Sequence, residues 1–459
     1  MNNNDSTTLQ HFGYQQELKR DLGFWDVFLY GVGMMMPIAP IVVFGAVTMA
    51  SFGHMALAYL IAVIPMSFTA YSYGQMAGAY PLAGSAFGYT QRAIHPYAGF
   101  FAGWSILLDY ALFPILNYIV IGIFTQMLFP SVNYWIIAIA AILLVTIVNL
   151  LGVKSVSRVN VFLVAFMFIA VFYFLGASFN ALNHGVGWGI SSLAFYNPAN
   201  FNISALLLGT SIACFSFMGF DAMTTLAEEV HEPSKTLATA TISVCFFMAV
   251  VFILQAFCAQ AVFPDWNQFQ SADTAFMEAA GAAGGQLLVT FLSIAMIAGA
   301  FANAIDSQAG VARVLYAMGR DEVIPKKVFA YLHPKTKVPV YTLVILALIA
   351  VIGASQDMNT IITMINFGAL IAFMCVNLSV IFHYYIKDKK RSGMDFVKYL
   401  IVPALGFLAC LTLFVSLSPN AKIAGTIWVS IGLLYVLIST RFFTRPFKEI
   451  KAFESADID

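Results

Sequence analysis

Charge is what this sequence has least of. Asp, Glu, Lys and Arg make up 10% of the 459 residues, against roughly a quarter in an ordinary soluble domain, while 61% are hydrophobic. A water-soluble core does not account for that balance, and a formal net charge of zero offers nothing to a nucleic acid. Cysteine is scarce as well. The five present (Cys214, Cys245, Cys258, Cys375 and Cys410) all fall in apolar runs without ligand-like spacing, which argues against a disulfide framework or a metal site. The histidines His11, His54, His95, His184, His231, His333 and His383 sit in gaps or near the ends of apolar runs, so no nucleophile-and-base pair is gathered within them and an enzyme is not expected. No cofactor is implied. Met1 to Leu22 is polar, with no apolar core and no cleavage motif, so no signal peptide is expected and the first apolar run serves as the targeting signal.

What the chain does have is a succession of long apolar runs. A spanning helix needs about 20 apolar residues, because a hydrocarbon core near 30 Å is crossed at about 1.5 Å per residue. That rule predicts an all-α polytopic membrane protein of about 12 spans. The ninth, 340–355, is short, and the gap Gly78 to Tyr97 is long enough to carry structure of its own. Every Lys and Arg except Lys422 and Arg313 falls in, or at the edge of, alternate gaps. Short loops rich in these residues stay on the cytoplasmic side, which predicts a cell-membrane protein with both termini in the cytoplasm. A channel would show a repeated pore loop or a stripe of like polar residues, and neither is visible.

Two spans are internally broken. Gly31-Val32-Gly33-Met34-Met35-Met36-Pro37-Ile38-Ala39-Pro40 sets two glycines and two prolines near mid-membrane in the first, where a helix would lose amide donors. In the sixth, Ser216-Phe217-Met218-Gly219-Phe220-Asp221 places a glycine among aromatics and a carboxylate at comparable depth. Broken backbone is tolerated there only where it lines a protein cavity. The breaks are five spans apart, and an odd number of spans reverses orientation. The expectation is therefore an inverted repeat of 24–180 and 204–385, two further helices over 397–443, and tails at 1–23 and 444–459, with a transporter's central site at the breaks.

These residues resemble the amino acid, polyamine and organocation (APC) transporter superfamily, and within it the bacterial putrescine importers and their relatives. The resemblance covers essentially the whole chain. It is carried by Ala83-Gly84-Ser85-Ala86-Phe87-Gly88-Tyr89, by Gly103 to Tyr110 in the third span, and by Cys214 to Asp221 with Glu228-Glu229 and Pro233. Arg313, Tyr316 to Asp321, Pro325 and Asn366-Phe367-Gly368-Ala369-Leu370 extend it. It implies a five-plus-five repeat with two extra helices, and secondary transport of amines or amino acids by alternating access. Two positions depart from the pattern. Where putrescine-type importers carry an Asp in the first span this chain has Val43, and where some proton-coupled permeases carry a Lys in the fifth it has Met167.

A charge within a span is expensive, about 2.5 to 3.5 kcal/mol on insertion scales, so the acids at depth are candidates for function. Asp109 lies about 16 Å into the third span, with Phe113 and Asn117 following at steps of four on the same side. A helix-to-helix hydrogen bond is its alternative use. Asp221 follows the second break, where capping the resumed half-helix and touching substrate are both open to it. The candidate substrate residues are Gly31, Gly33 and Met36 at the first break, Asp109 and Tyr110 in the third span, and Phe215, Phe217, Gly219, Phe220 and Asp221 at the second. The aromatics there could close over an ammonium. Asp306 and Ser307 in the eighth span are the candidate coupling residues; in the fold that the resemblance implies, they face the first break. The partners expected are a small amine or amino acid, a proton with sodium as the alternative, and the lipid bilayer. The function expected is secondary import, with exchange or a non-transporting sensor as alternatives.

Overall fold

The structure is a computed structural model that describes residues 21–80, 85–151, 156–227, 229–320, 325–334 and 338–440. Most of both tails, and Ala83, Gly84, Lys154, Glu228 and Asp321 among the residues singled out above, lie outside the described residues. Among the described residues the regular structure is helical, with one isolated backbone bridge between Leu22 and Val230. Ten helices are long and apolar enough to cross a bilayer, and the bent pair Phe24–Met35 and Ala39–Ala50 makes an eleventh. Val340–Gly353 is apolar but has 14 residues, about 21 Å of helix, and the count reaches twelve only when it is included as the short ninth span.

Local sequence explains where the helices begin and bend. The third span, Pro96–Leu128, opens on a proline, whose missing N–H is no loss in a first turn, and His95 caps it by accepting from the Tyr97 N–H. Its 33 residues measure about 50 Å, so it must tilt to fit the hydrocarbon. The gap before it folds into its own helix, Ser85–Ala93. The eighth span belongs to Ala275–Arg320, which is interrupted at Gly285 (φ 68°), a left-handed residue that separates a short outer helix from the span proper. The first span bends by 48° at its break.

Helix packing follows the five-span offset. Span two packs on span seven, and span three on span eight. Span three also packs on ten, and its counterpart eight packs on five; the first half of six lies on two, and the first half of one lies on seven. Each of these pairs maps onto itself or onto another when five is added to the span number, as an inverted repeat requires. Burial then sorts the spans. In their most apolar stretches 72% of spans three and ten and 67% of span six are buried, against 28% of spans four and five and 22% of eleven and twelve. The outer group faces lipid, and the broken spans with three and ten form the centre.

Spans two and seven meet closely because Gly74 has no side chain: a Cβ there would run into the backbone of Ala238. Close approach of this kind is how membrane helices gain van der Waals contact when lipid is as apolar as their side chains. Gly74→Val should therefore cost about 1–3 kcal/mol of stability by overpacking. The check is the thermal unfolding midpoint in detergent, where an unchanged midpoint would contradict the contact.

Candidate functional site

The first break is fixed by its prolines. The chain leaves the helix at Met36, whose φ of 51° is an unusual conformation for a residue with a side chain, and restarts at Ala39 with Pro40 in the first turn. The interruption frees the Pro37 carbonyl, which accepts a hydrogen bond from Gln255 Nε2 of span seven at 2.9 Å. In the second break Gly219 turns the chain at φ 107°, and the segment after it, Asp221–Leu226, is a tight 3-10 helix rather than an α-helix. Tyr59 of span two meets Ser216 Oγ at 2.6 Å, and Asn366 Nδ2 of span ten donates to the Ser211 carbonyl at 2.9 Å. Span seven thus supports the break in one as span two supports the break in six, which is the same symmetry expressed in hydrogen bonds.

The two breaks touch each other. A Cβ on Gly219 would lie 2.9 Å from the Met34 carbonyl carbon and oxygen, and one on Gly31 would strike the Met223 thioether. Where the two chains reach the membrane face, Leu22 N–H donates to the Glu229 carbonyl at 3.0 Å and His231 N–H to the Leu22 carbonyl at 2.9 Å. The half of span one before its break is therefore joined to the half of span six after its break along their length.

Three acids lie around this junction. Asp221 is 3% exposed; its carboxylate accepts from Tyr110 Oη at 3.1 Å and from backbone groups of its own turn. Asp109 is 4% exposed, interacts electrostatically with Asp221, and has no hydrogen-bond partner among the described residues. Gly368 of span ten packs its backbone against Ser105 and Asp109 and closes that side. Asp306 lies farther along, where Asp306, Asp221 and Arg313 all act on the Tyr30 hydroxyl. Ser307 Oγ donates to the Asn303 carbonyl at 2.6 Å.

On the other side of the breaks is a small enclosed cavity of about 20 Å³, room for one water, lined by Met36, Ala39, Val42, Phe113, Leu116, Asn117, Val120, Phe215 and Met296. Phe113 and Phe215 stack across it at 5.8 Å between ring centres. A larger cavity, about 450 Å³, opens away from the breaks and is lined by Tyr134, Trp135, Asp273, Gln356 and Asp357 among others. Burial, and after it the charge of Asp357, holds the Asp273 carboxyl above its ordinary range. Among the described residues no three His, Cys, Asp or Glu side chains are grouped to hold a metal.

Comparison with known proteins places this architecture. Residues 26–449 match the amino acid permease family. The chain belongs to that family. The permease is 34% identical over 432 residues to the low-affinity putrescine importer PlaP of Escherichia coli K12, covering 94% of this chain and 96% of that one. It is 22% identical to the branched-chain amino acid permease BcaP of Bacillus subtilis, over 93% and 94% of the two chains. It is 23% identical to the methylthioribose transporter of the same bacterium, over 95% and 96%. Proteins named for such different solutes share this chain's full length.

Within the permease, the sequence-predicted residues divide. Met36 and Phe215 line the enclosed cavity, and Asp109, Tyr110 and Asp221 gather beside the breaks. Gly31 and Gly219 are points of close approach between the two chains. Gly33 instead faces Val164 of span five, Phe217 packs on Tyr59 and Phe252, and Phe220 packs on Tyr73 and Phe373. The residue of span eight that touches the first break is Gly299, next to Met36, Ile38 and Met167; Asp306 follows it by two turns, about 10 Å. Met167 thus sits at the break with no cationic group to offer. Met296, Leu116 and Gln255 were not singled out from sequence, since an apolar or amide residue in a long apolar run carries no signal of its own.

Removing the support of the first break tests its importance. Gln255→Leu leaves the Pro37 carbonyl buried without a donor, a loss of about 1–3 kcal/mol, and should depress both stability and transport. Unchanged thermal stability of the purified variant would show that the carbonyl finds another partner.

Proposed function

We propose that this permease is a secondary active importer of a small amine-bearing solute, an amino acid or a polyamine, driven by protons and working by alternating access. On this reading it lies in the cell membrane with both termini in the cytoplasm, the side on which the basic loops collect. The observation that carries the proposal is Asp109: a carboxyl at mid-span, almost fully buried, without a hydrogen-bond partner among the described residues and next to a second acid at two helix breaks. A buried carboxyl left so is costly, and an ammonium is the group that would satisfy it. The acidic outer cavity with Asp273 and Asp357 adds a field that draws cationic groups toward that face. The names of the relatives, putrescine importer and branched-chain amino acid permease among them, agree with the same solute class.

Alternating access has a mechanical basis in the joined halves of spans one and six, which can move together against spans three, eight and ten while the breaks act as hinges. Asp306 is our candidate for the proton carrier, with Ser307 beside it. It stands on the same face of span eight as Arg313, seven residues or about two turns on, so a change in its charge is felt by Arg313 and by Tyr30 of the moving half.

Asp109→Asn should lower apparent amine affinity tenfold or more, in line with about 1.5–3 kcal/mol for a charged hydrogen bond, while the protein still folds. Uptake into proteoliposomes, normalised to folded protein, is the measurement; lost thermal stability with unchanged transport would make Asp109 a packing residue. For Asp306→Asn, exchange of internal for external substrate should continue while accumulation under an imposed proton gradient fails. Accumulation that still follows the gradient rejects Asp306 as the carrier.

A further inference from the structure

We infer that the site selects an amino acid with an apolar carbon skeleton over a diamine, and that Asn117, with Met36 and Met296, sets that preference. The inference rests on the transport reading above and names its substrate class. Along span three Asp109, Phe113 and Asn117 recur on one face, so the acid end and the cavity end of the site are about 12 Å apart. Acids are found at the first end only. No carboxylate lines the cavity, whose walls are thioether, ring and aliphatic carbon apart from the Asn117 amide. Asn117 is 5% exposed, gives an Nδ2 hydrogen to the Phe113 carbonyl at 2.9 Å, and has an oxygen that accepts nothing among the described residues. One neutral acceptor cannot balance an ammonium with its three donors and full charge.

Two further features oppose a second ammonium. Ala39, on the cavity wall, is the first residue of the twelve-residue half-helix Ala39–Ala50, whose positive dipole end favours a carboxylate and disfavours a cation. Phe113 and Phe215 are turned on each other at an interplanar angle of 30°, which takes one face of each ring out of reach of a cation. With room for about one water the cavity cannot keep a cation hydrated. Met36 and Met296 are flexible thioethers that can shift to admit an aliphatic group.

The test is counterflow in proteoliposomes with purified wild-type protein and labelled L-leucine, L-valine, 4-aminobutyrate and putrescine. At least one of the three amino acids should exchange, and should compete at a concentration about ten to a hundred times lower than putrescine. Asn117→Asp, which adds a carboxylate to the cavity, should narrow that gap about tenfold; Met296→Asp does the same if the first variant does not fold. Putrescine that competes as well as the amino acids in the wild type overturns the inference and leaves amine transport standing. No counterflow with any of the four solutes overturns the transport reading itself. A wild-type gap left unchanged in folded Asn117→Asp and Met296→Asp overturns the assignment to this cavity.

Discussion

The structure depends on one constraint: in hydrocarbon, every backbone N–H and C=O must find a partner within the protein. Continuous helices meet it by themselves, and the two broken spans do not. Their freed groups are answered from neighbouring spans, by Gln255 at the Pro37 carbonyl and Asn366 at the Ser211 carbonyl, while Tyr59 holds Ser216. Spans two, seven and ten are thereby bound to the breaks. The same constraint explains why the breaks are central and not at the lipid surface, where spans four, five, eleven and twelve run as plain helices.

Breaking the helices also concentrates chemistry. A helix interrupted at mid-membrane presents dipole ends there, and carboxylates can be accommodated beside them. Asp221 is held by Tyr110 and by its own turn, whereas Asp109 has no such hold. That difference in environment between two neighbouring acids is what distinguishes a residue that completes the fold from one that awaits a ligand. On the far side of the breaks the lining changes to thioether and ring, so the site has an acidic end and an apolar end.

The close contact of Gly31 with Met223 and of Gly219 with Met34 makes one unit of two half-helices distant in sequence. Glycine matters at these positions for opposite reasons. Gly219 supplies a backbone angle that residues with side chains rarely adopt, whereas Gly31 only makes room. A substitution at the first would strain the turn whatever the space around it.

Much of this was legible in the chain itself. The membrane class, the approximate number of spans, the break at Met36 to Pro40 and the turn at Gly219 follow from apolar length and from the backbone chemistry of proline and glycine, which act locally and leave a mark at their own positions. The short ninth span and the separate helix after Gly78 were likewise visible as run and gap lengths. Side-chain direction was not. Phe217 and Phe220 flank a break and read as ligand contacts, yet they pack on spans two, seven and ten, because a tight 3-10 turn rotates successive residues away from the face an α-helix would give them. Asp306 was expected at the first break, but Gly299 occupies that contact, since the tilt and depth of span eight are set by its neighbours. Met296 and Gln255 became visible only once distant spans were brought together. The sequence determined which segments cross and where they break, through short-range rules of burial and backbone. The tertiary structure alone decided which side chains share the cavity, because that depends on helix rotation and register fixed by packing between spans.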